Sequence, residues 1–190
     1  IMKWVFILVF IGALMAKDNL ATQTDNALII IKEKPPISAL PTRTNNWMSV
    51  QGSDDWLGLS DEQVHDRQLK FDSPEYGIRA GAISLITRAL RKNNKPEVNF
   101  SQIFFEDDGW AEDKESYKLD AMSKGFDDNY TVDVMDREQL STLINFISNH
   151  EMGLDEYLKL EDRVGVINKG IDMAYDYVTS DDYSLKDLVK

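Results

Sequence analysis

One stretch of the chain leaves little room in what it can become. FDSPEYGIRAGAISLITRALRKNN, residues 71–94, carries a full set of helix start and stop signals. Ser73 suits an N-cap, and Pro74 suits the first helical position, where a fixed φ and a missing N–H cost nothing. Glu75 follows in the first turn, where the helix dipole favours a carboxylate. Ile78, Ala82, Leu85, Ile86, Ala89 and Leu90 recur as one apolar stripe. Arg88, Arg91 and Lys92 gather toward the end, and Asn93, Asn94 and Pro96 stop the helix. A long helix with one apolar face needs other elements to cover that face, so it sets the fold class.

Similar punctuation recurs downstream. Residues 98–105 fit a short helix or an extended stretch, and a helix over 117–124 should end at Gly125. Residues 127–136 read as loop or a brief extended piece. Asp136 can cap the next helix, with Gln139 as its capping-box partner. Leu140, Leu143, Ile144 and Ile147 then face inward, and the helix reaches His150 and Glu151 before Gly153 ends it. One or two amphipathic helices occupy 154–177, with Leu158, Val164, Ile167, Ile171 and Ala174 inward, and residues 181–190 either fray or dock. Around Trp47 and Trp56 the chain is rich in turn formers, and both indoles can fill core. The expectation is a mainly α fold with at most a small irregular β region.

The front of the chain is different. Lys3 precedes an uncharged apolar run from Trp4 to Ala16. At ~1.5 Å per residue this run makes a helix of roughly 20 Å, shorter than a hydrocarbon core of ~30 Å. It reads as a hydrophobic transmembrane anchor or a signal helix over 1–16. Leu14 is too large for the small-residue position of a cleavage site ending at Ala16. Residues 17–42 read as an extended linker: Pro35, Pro36 and Pro41 favour an extended course, and the ALIII run at 27–31 is its one apolar patch. The folded domain spans 43–190.

Composition then removes whole classes of function. The chain has 190 residues and a net charge of −12, and this acidic balance argues against nonspecific nucleic-acid binding, which wants a basic face, so no nucleic-acid partner is expected. There is no cysteine, so disulfides, thiolate metal sites and a Cys nucleophile are excluded. With only His65 and His150, a histidine-rich metal site or a multi-imidazole relay is excluded. The acidic runs around Glu106, Asp107, Asp108 and Glu112, and around Asp127 and Asp133, lack calcium-loop spacing. No metal or cofactor is expected.

Taken together, TRTNN (42–46), WLG (56–58), FDSPEYGIRA (71–80), Tyr117 and DREQLSTLINFISNHEMG (136–153) resemble a phage virion and lysin family. That family carries Asn-Asn-Pro-Gly-Asn-Ile, FDSPEYGIRA and HENG motifs. The likeness covers 43–153. Here the first motif reads Asn45, Asn46, Trp47, Met48, Ser49, Val50, so its Pro, Gly and third Asn are absent. The last reads His150, Glu151, Met152, Gly153. The first half is also similar to flagellar-type glucosaminidases, whose catalytic Glu ends a helix before the Asn pair. Here the comparable acid, Glu151, comes after it, as a circular permutation would place it.

The resemblance implies a lysozyme-like or lytic-transglycosylase-like helical domain. It also implies either peptidoglycan cleavage or a virion structural role. Glycosidic cleavage needs a carboxylic acid that stays protonated near neutral pH. A helix C-terminus disfavours a charged carboxylate, and Glu151 stands at one. Glu75 is the rival acid, at a helix N-terminus that suits a base or a structural anion. Asn45 and Asn46 would form the sugar-binding floor, Trp56 would stack on a sugar, and Tyr117 would hold an N-acetyl group or a peptide stem. Each also has a plain structural reading. Cell walls are anionic and repel an acidic domain, so a tethered protein fits better than a freely diffusing lysin. The expected function is a membrane-tethered, virion-associated, peptidoglycan-degrading protein. Its partners would be peptidoglycan, a viral or host membrane through residues 4–16, and other virion proteins. The alternatives are a non-catalytic virion structural protein with the same fold, or a secreted or periplasmic wall-binding module.

Overall fold

A computed structural model describes residues 39–52, 55–106 and 109–180. The apolar run at 4–16, the ALIII run, Asp107, Asp108 and residues 181–190 lie outside the described residues. Among the described residues no helix is long and apolar enough to cross a membrane.

The fold is mainly α. Its elements are α1 (Leu40–Arg43), α2 (Pro74–Asn93), β1 (Glu97–Asn99), α3 (Phe100–Phe104), α4 (Lys114–Ser123), β2 (Thr131–Asp133), α5 (Arg137–Met152), α6 (Leu154–Lys159) and α7 (Arg163–Val178). The predicted long helix is α2. Ser73 precedes it with extended backbone, although its side chain makes no capping bond. Asn94 ends it in the left-handed region at φ 53°. The ambiguous stretch at 98–105 divides: β1 pairs antiparallel with β2, Val98 opposite Val132, and α3 starts in a full capping box between Asn99 and Gln102.

Two large faces meet in the core. The apolar stripe of α2 packs on α7 through Ile167, Ile171 and Ala174. Gly170 makes the close approach possible, because a Cβ there would lie 2.6 Å from Ile78. On another side of α2, Gly77 and Gly81 admit the loop of residues 45–48: added Cβ atoms would stand 2.3 Å from the Asn45 carbonyl oxygen and 2.2 Å from Met48 Sδ. The second face is aromatic. Phe100, Phe104, Phe126 and Phe146 interlock with centroid separations of 4.3 to 5.8 Å, and Tyr117 joins them against Phe104 at 5.1 Å.

Four local expectations need correction. Leu158 and Val164, expected inside, are 58% and 69% exposed. The helical phase breaks between α6 and α7, where Asp162 turns left-handed at φ 45°, and α7 is buried only from Ile167 onward. Asp136 caps α5 by accepting from the Glu138 and Gln139 N–H groups, but Gln139 Oε1 accepts from Asp133 N instead of closing the capping box. Pro41, expected to keep the chain extended, sits buried in the first turn of α1, where its missing N–H is harmless.

Candidate active-site groove

Residues 49–51 and 65–68 run antiparallel, joined by a bridge between Gln51 and Gln68. Residues of both segments line a groove of about 940 Å³. The segment 109–114, Tyr117, Ser84 and Arg88 of α2, and His150 and Glu151 line it as well. Such a volume suits a small ligand or a short oligosaccharide.

Glu151 reaches the groove because α5 runs to Met152 before Gly153, at φ 76°, breaks it. Its Oε1 accepts a hydrogen bond from the Tyr117 hydroxyl. Tyr117 comes from α4, whose first turn is held by Asp113 accepting from Ser116 N at 3.1 Å. Burial first, then the neighbouring carboxylate and the bond to it, hold the Tyr117 hydroxyl far above the usual phenol pKa. Tyr117 is therefore a fixed donor. Glu151 Oε2 has no hydrogen-bond partner among the described residues. No cation pairs with Glu151 among them either.

Beside this pair stands a second one. His150 Nδ1 lies 3.0 Å from Asp120 Oδ2, and the His150 and Tyr117 rings lie 3.7 Å apart between centroids. Lys124 Nζ donates to the same Asp120 oxygen at 2.9 Å. Burial alone would raise the Asp120 carboxyl, but the bonds from Lys124 and His150 hold it below its usual range.

Other groove residues are tied by polar contacts. His65 Nδ1 accepts from Gln68 N at 3.0 Å and from Arg67 N at 3.2 Å, so its ring proton is on Nε2. Arg67 grips Glu112 through both terminal nitrogens at 3.2 Å, joining the segments 65–68 and 109–114. Ser49 lines the groove with left-handed backbone at φ 51°.

The predicted site residues divide sharply. Glu151 and Tyr117 meet in the groove. Asn45 and Asn46 do not line it. Asn46 is fully buried: its Nδ2 donates to the carbonyls of Val50 and Leu69 at 2.9 Å, and its Oδ1 accepts from Val50 N at 2.8 Å. Asn45 Nδ2 donates to the Phe71 carbonyl at 2.9 Å. Trp56 packs against the core, away from the groove. Glu75 is remote as well. The Ser73 hydroxyl, then its own N–H and Lys169 Nζ at 3.3 Å, outweigh burial and hold its carboxyl below the usual range.

In and behind the groove stand residues the sequence did not single out. Trp110, rather than Trp56, is the indole in the wall. Asp120 carried a readable signal, because it follows Tyr117 by three positions and so shares a helix face with it. Among the described residues no group of three or more His, Asp or Glu side chains could hold a metal ion. No family model matches the chain, and no curated protein matches it.

Proposed function

We propose that this protein cleaves the glycan strands of peptidoglycan, with Glu151 as general acid. The observation that carries this reading is the pairing of Glu151 with Tyr117 in the wall of an open groove. Glu151 has a fixed donor on one oxygen, no cation partner among the described residues, and a second oxygen with no hydrogen-bond partner among them, which in this reading faces the glycosidic oxygen. Trp110 offers an aromatic face for a sugar ring. In this reading the helical domain is lysozyme-like. The chain acts as a phage virion component during genome delivery, tethered to a viral or host membrane through residues 4–16. Residues 17–190 carry all 33 acidic residues and all but one of the 21 basic ones, so a tether supplies the proximity that charge steering cannot.

A second reading is a virion structural protein with the same fold and no activity. One observation favours it: Asn45 and Asn46 are spent on the protein's own loop. Zymography on purified peptidoglycan separates the two. Clearing by wild type and none by Glu151→Gln supports the enzyme. No clearing by wild type supports the structural protein, and equal clearing by both removes Glu151 from the role.

A further inference from the structure

We propose that His150, held by Asp120, is the general base of the groove, so that the protein hydrolyses its glycan with water instead of closing an anhydro sugar. This rests on the reading of Glu151 as general acid. Two proton-handling groups line the same end of the groove, each with its own orienting partner. Glu151 is held by Tyr117, and His150 is held at Nδ1 by Asp120 at 3.0 Å. Asp120 itself does not line the groove, whereas His150 does. The Nδ1 edge is thus turned away from the groove. An anionic Asp120 fixes the proton on Nδ1 and leaves Nε2 as a lone-pair acceptor.

The two groups sit on consecutive helix positions, which diverge around the axis and do not face each other. Tyr117 touches both: its hydroxyl donates to the Glu151 carboxylate, and its ring lies 3.7 Å from the imidazole between centroids. With both groups lining one groove, one can serve the glycosidic oxygen and the other a water beside the anomeric carbon. Glu151 gives its proton to the glycosidic oxygen as the bond from that oxygen to the anomeric carbon breaks. Water forms the new bond to that carbon, and its proton passes to His150 Nε2. Both groups then exchange protons with solvent to reset. The charged or titratable groups in contact with the imidazole or its partners are Tyr117, Asp120, Lys124 and Glu151, and the groove is also lined by His65, Arg88, Asp113, Lys114 and the Arg67–Glu112 pair.

The test digests purified peptidoglycan with the full-length protein, identifies the new ends by mass spectrometry and records rate against pH. The proposal expects reducing ends carrying one added water. It also expects His150→Gln and Asp120→Asn each to lose about 100-fold or more in kcat. His150→Gln should abolish one limb of the pH profile and leave the other, which a purely structural role would not do. Should His150→Gln fail to fold, Asp120→Asn carries the test, because it keeps the side-chain shape. Anhydro ends from wild type, or wild-type rates and pH profile in the variants, overturn the proposal and leave the muralytic reading standing. No cleavage by wild type overturns both.

Discussion

Glu75 and Glu151 are the same side chain at opposite ends of two helices, and the fold treats them oppositely. Glu75 stands at the start of α2, where the dipole, the Ser73 hydroxyl and Lys169 all favour its charge. It lies outside the groove and helps to hold α2 to α7. Glu151 stands at the end of α5, in the groove, with a phenol for a partner and no cation among the described residues. The first has a cation partner outside the groove, the second a phenol partner inside it. The lesson is that an acid at a helix end is placed by its partners and by its access to a groove, not by its presence in a motif.

The comparison breaks most visibly at Glu151. Glu151→Gln keeps the shape and the Tyr117 partner, so the release of soluble fragments from peptidoglycan should fall by about 100-fold or more. Thermal unfolding should barely move. A large drop in melting temperature with activity retained would assign Glu151 to the fold.

Asn46→Ala is the next largest effect, and of the opposite kind. It strands the Leu69 carbonyl and the Val50 N–H in the interior and leaves the Val50 carbonyl with only its 3.3 Å bond from Leu69 N. Each such loss costs about 1–3 kcal/mol. Chemical denaturation should show a loss of a few kcal/mol, about 2–4, while the KM of the surviving folded protein stays unchanged. A raised KM with unaltered stability would return Asn46 to the sugar-binding role that its motif suggests.

Tyr117→Phe sharpens the same contrast by removing one hydroxyl and leaving the ring among Phe104 and Phe146. The lost bond to a carboxylate is worth about 1.5–3 kcal/mol. Glu151 then loses its orientation, and a fall in kcat of roughly tenfold or more is the expected result in the same fragment-release assay.

Glu75→Gln is the smallest. A surface ion pair contributes about 0–1 kcal/mol, and activity should be unchanged. The pH dependence has a definite sign. The Glu75 carboxyl titrates lower in the folded protein than in the unfolded chain. Its stabilisation is therefore full above the unfolded value of about 4.3 and is lost as pH falls through the lower folded value. Melting temperatures of wild type and Glu75→Gln should differ at pH 7 and converge in acid. A difference that grows in acid would contradict the assignment.

Much of the fold was legible because its signals are local. Pro74, Asn94, Gly125, Asp136 and Gly153 bound their helices as their chemistry requires, and the stripes of α2 and α5 are buried as their spacing predicts. Leu158 and Val164 were misjudged because a periodicity read across Asp162 assumes a continuous helix, and that residue resets the phase. The site was legible only in part. Glu151 and Tyr117 came from motif and helix-end chemistry. The place of Trp110 in the groove and the Arg67–Glu112 tie, across 45 positions, depend on segments brought together by the fold, and no local pattern encodes such meetings. Asn46 shows the converse. A motif residue can serve the loop that carries it, and only its three buried hydrogen bonds reveal that use.

The most direct test of glycan cleavage by Glu151 is a count of new glycan-chain ends, reducing or anhydro, in purified peptidoglycan treated with wild type and with Glu151→Gln in parallel. New ends should accumulate with wild type and be absent with the variant. No new ends with wild type, or equal accumulation with both, would contradict cleavage by Glu151.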